Sequence, residues 1–505
     1  MSVRHTQRAP GTNARPWNGN ASESIAGSIN RYTWTAISAR PGRGPDYAFD
    51  NIVRTRWQPA PEDRRPWLML DSGCRNPADS NQEFTIDSTD RRFSGSDPGI
   101  RRCGEPGFGG SRVYLLGKPA PKDKSYQIMK RIFIGLLLFT NAAAAAAQSR
   151  WTDAQGNQWY ARQPWLVGSN YIPATAINQL EMWQADSFDP KRIDLELGWA
   201  ESLGMNSMRV FLHDLLWQQD AAGFRKRIDA FLAISAKHHI KPMFVLFDSC
   251  WDPLPKLGPQ HPPKPGVHNS GWVQSPGSDA LQDRSQYSRL EEYVRGVVGA
   301  FATDDRILAW DIWNEPDNPN TSSYGSREPA NKKELVLALL PKTFAWARDA
   351  KPRQPLTSGV WRGDWSSPEK LSAMEKAQLE ESDVISFHNY DQPVEFEKRI
   401  DWLQAYHRPI LCTEYMARGN KSTFAGSLPV AKKYKVAAIN WGLVAGKTQT
   451  FLPWDSWKKP YIDREPSIWF HEVFRTDGSP YLSDEVALIK AIIGRGAAVS
   501  GGAAE

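Results

Sequence analysis

Two glutamates in this 505-residue chain stand directly behind apolar runs. Glu315 lies near the end of Ala309-Trp-Asp-Ile-Trp-Asn-Glu-Pro316, and Glu414 near the end of Pro409-Ile-Leu-Cys-Thr-Glu-Tyr415. A carboxyl behind a buried parallel strand lies at the C-terminal mouth of an α/β barrel, where reacting groups project. Taken singly, either glutamate would serve as well in a salt bridge or a helix cap. As a pair on separate strands they fit the cleavage of a glycosidic bond. One acid protonates the leaving oxygen while the other carboxylate attacks the sugar or activates water. That division of labour asks for a raised pKa at Glu315 and a depressed one at Glu414.

The elements that must position this pair repeat along the chain. Apolar runs at residues 165–170, 207–212, 242–247, 307–313, 355–358, 384–387, 409–412 and 436–440 read as strands. Between them, stretches such as 190–203, 222–238, 287–301, 332–348 and 396–406 read as helices. Near-continuous apolar strands alternating with helices predict a parallel sheet covered on both faces. Eight such units predict an α/β fold of the (β/α)8 TIM-barrel type across residues 149–505. No glycine-rich phosphate loop follows the first strand, which counts against a nucleotide-binding fold. The connections 248–283, 315–330 and 441–463 are long, as functional loops are.

Trp313-Asn-Glu-Pro316 resembles the acid/base signature of clan A glycoside hydrolases, the family 5-like cellulase and mannanase group. The resemblance runs from about residue 159 to residue 493. It implies Glu315 as acid/base, Glu414 as the strand-7 nucleophile and Asn314 on the sugar 2-hydroxyl. It also implies Arg209 as the cation that holds the nucleophile ionised. His388 and Tyr390, in Phe387-His-Asn-Tyr390, match the family's His-x-Tyr pair, and Trp441 matches the strand-8 platform under the reacting sugar. The endings Gly168-Ser-Asn-Tyr171 and Phe211-Leu-His213 depart from the pattern, so the sugar stays open.

The chain holds 22 Trp. Trp251, Trp272, Trp361, Trp365, Trp454 and Trp457 fall in the expected mouth loops, where flat rings suit the apolar faces of pyranoses. Of these, Trp251, Trp361 and Trp454 join Trp441 as expected substrate contacts, while Trp346 and Trp402, on helices, are expected in the core. His213, His261 and His268 lie in or near mouth loops without His-x-x-x-His or Cys-x-x-Cys spacing, so neither metal nor other cofactor is expected. Asp248, Asp252 and Asp311 are minor candidates for sugar hydroxyls. Cys250 and Cys412 end strands 3 and 7, too far apart around a barrel to pair.

The formal charge of +6 invites a nucleic-acid reading. Residues 1–128, however, hold 19 Lys and Arg against 13 Asp and Glu, which is the whole surplus. No basic stripe with interleaved aromatics follows, so nucleic acid is not an expected partner. Residues 129–148 have the layout of a secretory signal peptide: Lys130-Arg131, an apolar run from 132 to 147, then Gln148. That run is shorter than the roughly 20 residues a bilayer span needs, so no stable membrane insertion is expected. The expectation is a secreted or periplasmic protein that begins naturally at Met129, with 1–128 as an upstream extension. Within that extension, Tyr47-Ala-Phe-Asp-Asn, Arg54-Thr-Arg-Trp57 and Pro66-Trp-Leu-Met-Leu-Asp71 resemble the first half of a discoidin-like (F5/8 type C) module. The resemblance covers residues 35–73. Residues 76–110 read as loop, which makes the patch a truncated β-type remnant. Cys74 and Cys103 are candidates for a pair that sequence alone does not establish.

The function expected is a retaining β-glycosidase acting on a β-linked, by preference β-1,4-linked, polysaccharide or its oligosaccharides, as a monomer. Two alternatives stand beside it: an exo-acting β-glycosidase of β-mannosidase or β-glucosidase type, and a non-catalytic carbohydrate-binding barrel.

Overall fold

The computed structural model describes residues 149–494, together with four strands near the N-terminus. The chain divides into two units, Met1–Phe139 and Thr140–Glu505. In the first, Thr33–Ser38 pairs antiparallel with Asn51–Arg56, and Trp67–Asp71 with Glu83–Asp87. The last of these falls in the stretch expected to be loop. Phe84 and Ile86 alternate with polar neighbours there over five residues, a period-2 signal too short to stand out. The leader-like segment 129–148, Cys74 and Cys103, and the rest of the discoidin-like patch lie outside the described residues.

In the second unit eight strands lie parallel: β1 (Val167–Tyr171), β2 (Ser207–Phe211), β3 (Lys241–Asp248), β4 (Ala309–Asn314), β5 (Leu356–Thr357), β6 (Ile385–Asn389), β7 (Ile410–Tyr415) and β8 (Ala437–Trp441). The ladder runs in sequence order from β6 through β8 and β1 to β5. The seam between β5 and β6 closes just past β5. Val360 N–H donates to the Ser386 carbonyl at 3.0 Å, and His388 N–H donates to the Val360 carbonyl at 3.0 Å. The fold is a (β/α)8 barrel.

Helices α1 (Asp153–Ala161), α2 (Gln179–Trp183), α3 (Pro190–Ser202), α4 (Asp214–Lys237), α5 (Ser278–Gln282), α6 (Tyr287–Ala300), α7 (Lys332–Asp349), α8 (Ala373–Glu381), α9 (Pro393–Gln404), α10 (Phe424–Lys433) and α11 (Ser483–Gly494) accompany the strands. Local chemistry sets their starts: Thr152 and Gln155 form a capping box on α1, and Asp189 caps α3 with Pro190 in its first turn. Helix α4 begins earlier than expected because His213 accepts from Leu215 N–H at 3.2 Å and caps it. A kink at Asp220 then separates that first turn from the amphipathic part.

The barrel interior is layered. At its N-terminal end Leu166, Met243, Ala309, Leu411 and Ala437 pack together beneath Trp159 of α1. Two residues further along β4, on the same side of the strand, Ala309 gives way to the charged Asp311. Buried polar groups at that depth are costly unless hydrogen-bonded, and Arg209 donates to Asp311, Asn170 and Glu414 there. Among the described residues, no helix is long and apolar enough to cross a membrane.

Candidate active site

Glu315 follows β4 with φ of +40°, a left-handed backbone. The residue before a proline is restricted towards extended conformations, so this geometry is strained and held by its surroundings. Asn318 supplies part of that hold, its N–H donating to the Glu315 carbonyl at 2.9 Å. Its side-chain amide donates to Glu315 Oε2 at 2.6 Å, and the Cys250 thiol lies 3.3 Å from the same oxygen. Oε1 stands 3.0 Å from His388 Nδ1. The residue is 8% exposed, and burial raises its carboxyl above the ordinary range, against the pull of Asn318.

Glu414 lies within β7 rather than behind it. Its Oε1 accepts from Arg209 Nη1 at 2.8 Å and its Oε2 from the Tyr390 hydroxyl at 2.8 Å. His388 Nδ1 is 3.4 Å from Oε2. Arg209 has no exposure and serves several groups at once. Nε and Nη2 donate to Asp311 Oδ2 at 3.0 and 2.8 Å, Nη1 also donates to Asn170 Oδ1 at 2.8 Å, and Nη2 to Asn314 Oδ1 at 2.6 Å. The depressed pKa expected at Glu414 is therefore corrected. Burial raises it, and nearby Glu315 adds to the rise, against the pull of His388, Arg209 and Tyr390. The guanidinium is shared with Asp311, so Glu414 does not have the whole of its charge.

Burial lowers the His388 pKa to about 4, so the ring is neutral at pH 7. Nδ1 faces both glutamates, so a proton on it would lie between them; Nε2 is buried without a partner among the described residues. One oxygen of Glu315, one of Glu414 and His388 Nδ1 all lie within 4.8 Å of one another. Those are donor types a cation accepts, but Arg209 already brings a positive charge against Glu414 and disfavours a second one.

Asn314 spans the network, accepting from Arg209 and donating to Asp248 Oδ1 at 2.9 Å, while its amide nitrogen lies 3.7 Å from Cys250 Sγ. Trp441 is half-buried, edge-on to Phe211 and Trp272 at 5.8 and 5.9 Å. Trp454 meets Tyr390 edge-on at 5.2 Å, and Trp251 stacks on Trp457 at 5.9 Å. Trp361 donates to Asp317 Oδ1 at 3.0 Å and so flanks the loop after Glu315. Trp272 and Trp365 are both buried, Trp272 bonded to Asp248 and Trp365 set against Phe387 and Trp402. Asp248 and Asp311 are likewise buried and spent on protein partners, and both Cys250 and Cys412 are free.

The loops after β3 and β8 are stitched together. Asn269 N–H donates to the Thr448 carbonyl at 2.8 Å, Tyr461 N–H to the Gly266 carbonyl at 2.9 Å and His268 N–H to Ser456 Oγ at 2.9 Å. Sequence reasoning missed Asn318, the Asp311 and Asn170 contacts of Arg209, and Glu472. Asn318 carried a signal, since Glu-Pro-Asp-Asn has the composition of a tight turn that brings the fourth residue back on the first.

No family model and no curated protein matches the chain. Among solved structures, the chain is similar to the exo-beta-1,4-mannosidase Op5Man5 from Opitutaceae bacterium strain TAV5, at 17% identity over 66% of this chain and 60% of that one (TM-score 0.43). It is also similar to GH5_18 from Streptomyces cattleya in complex with GlcNAc, at 10% identity over 67% and 82% (TM-score 0.43). A third is the endo-beta-1,4-mannanase from Thermotoga petrophila, at 13% identity over 67% and 78% (TM-score 0.43). The chain thus spans less than two thirds of the first of these proteins.

Proposed function

We propose that the chain is a retaining glycoside hydrolase of β-linked, β-1,4-linked by preference, polysaccharides or oligosaccharides, with Glu315 as acid/base and Glu414 as nucleophile. The observation that carries this reading is the distance between the carboxyls. Oxygens of the two lie within 4.8 Å of each other. So close an approach fits double displacement, whose carboxyls stand roughly 5–5.5 Å apart, better than inversion, whose carboxyls stand roughly 6.5–9.5 Å apart around a water.

In the first step Glu315 gives its proton to the glycosidic oxygen as the bond from that oxygen to C1 breaks, and a Glu414 oxygen bonds to C1. The aglycon leaves as an alcohol. Glu315, now a carboxylate, takes a proton from water, whose oxygen attacks C1 and displaces Glu414. Burial favours the protonated Glu315 that the first step needs, and Arg209 and Tyr390 favour the charge Glu414 regains in the second. Asn314 is the partner for the 2-hydroxyl and Trp441 the face under the ring. The β-configuration rests on the Asn-Glu-Pro resemblance.

The stitched loops after β3 and β8 favour a second reading, in which one end of the groove is walled and sugars are released one at a time. Product analysis of the full chain on β-glucans, mannans and xylans tests both. Mixed oligomers mean internal cleavage and monosaccharide means exo action, while binding without turnover means a non-catalytic barrel and defeats the hydrolase reading. We also propose export through residues 129–148. Terminal sequencing of secreted protein tests this, and a mature chain starting before Met129 contradicts it.

A further inference from the structure

A third buried carboxyl stands beside this site without a place in the reaction. Glu472, in the loop after β8, has no exposure and a φ of +35°. Its Oε1 accepts from the Thr450 hydroxyl; its Oε2 has no partner among the described residues. Burying an oxygen unsatisfied costs stability, so such an atom needs an explanation. Gly442, directly after Trp441, makes the approach feasible: its φ is +82°, and a Cβ there would lie 2.8 Å from the Glu472 nitrogen.

Glu472 lines a cavity of about 20 Å³. By the same measure a single water needs roughly 10–15 Å³, so the cavity admits one small group and excludes a sugar ring. Its lining mixes polar side chains, Asn170, Thr448 and Thr450 beside Glu472, with the apolar rings of Phe211, Trp272 and Trp441. The cavity adjoins the reacting centre, because Asn170 accepts from the Arg209 nitrogen that also holds Glu414. A group that fills it must be small and must suit both kinds of lining, as a hydroxyl on a short apolar stem does when carried by a sugar resting on Trp441.

Resting on the hydrolase reading, we propose that this recess takes the exocyclic hydroxymethyl group of the sugar whose C1 Glu414 attacks, with Glu472 Oε2 as partner of its hydroxyl. The substrates are then hexopyranosides rather than pentopyranosides. A hydroxyl removed from a site built to bond it leaves buried polar atoms unpaired, whereas a missing methylene alone costs less.

The test uses the full chain and aryl β-glycosides of one and two sugar units. The sugar next to the aryl group is in turn a hexopyranose, its 6-deoxy analogue and the matching pentopyranose. The expected kcat/KM favours the hexoside over both others by about thirtyfold or more. Glu472→Leu collapses that preference through loss on the hexoside alone, and Glu472→Gln keeps part of it. Hexoside and pentoside constants within threefold in the wild-type protein overturn the proposal, whether or not the leucine variant folds. An unchanged preference in a folded Glu472→Leu also overturns it, leaving the recess to a water. Cleavage of none of the glycosides defeats the hydrolase reading instead.

Discussion

Asn318 holds Glu315 at both ends, its backbone N–H on the glutamate's carbonyl at 2.9 Å and its side-chain amide on Oε2 at 2.6 Å. Lys332 in turn fixes Asn318, donating to its carbonyl at 2.8 Å and to the Ser249 carbonyl at 2.9 Å. The proposed acid is thus positioned by a turn and not by its strand. An N–H donated to a carboxylate favours the ionised form, so removing it raises the Glu315 pKa further. Asn318→Ala is expected to move the alkaline limb of kcat/KM to higher pH and to lower kcat about tenfold as the carboxyl loses its orientation. A pH–rate profile of the variant checks both.

Glu315→Gln and Glu414→Gln are each expected to lower turnover about a thousandfold or more, and the double variant little further, since the two act as a unit. Steady-state rates on one soluble substrate measure this. Near-wild-type turnover in either single variant contradicts the assignment.

A single buried guanidinium, Arg209, is shared between two carboxyls, Asp311 and Glu414. Arg209→Met leaves Asp311 without its cation and Glu414 with only Tyr390 and His388 beside it, and is expected to cost about 3–5 kcal/mol of stability. Denaturant unfolding of the variant reads that loss directly. A midpoint within experimental error of wild type would mean the polar layer rearranges freely.

Burial pushes the Glu472 carboxyl up to about 8 from the ordinary 4.5, against the Thr450 hydroxyl and then Arg418. Between those values the unfolded chain releases this proton and the folded one keeps it. The contribution is present in full below pH 4.5, is lost as pH rises to about 8, and is flat above. Glu472→Gln, which cannot titrate, is expected to lose less Tm than wild type between pH 5 and pH 8. Thermal melts of both proteins at the two pH values check it.

Much of the barrel was legible because its strands are buried on both faces and read as unbroken apolar runs. Their C-terminal ends were misjudged for a physical reason. Asn314, His388, Asn389 and Glu414 are polar, yet they still pair in the ladder, so strands inferred from apolar runs stop short of the residues that matter most. The Arg209–Glu414 pair followed from the resemblance. Its sharing with Asp311 did not, because β2 and β4 meet only across β3, and the Glu414 pKa was misjudged because the depth of its burial, the main cause of the rise, is not written in the motif. The tryptophans show the same limit. Mouth-loop position alone did not separate Trp441 and Trp454 from Trp272 and Trp365, since a loop that folds back buries its own rings.

The central claim is that Glu414 attacks the sugar directly from across a short gap. Proton NMR of the first-formed product of a soluble β-glycoside, taken before mutarotation, tests it most directly. A β-anomer is expected, the configuration retained through two displacements. An α-anomer would mean a single displacement by water, and would contradict the role given to Glu414.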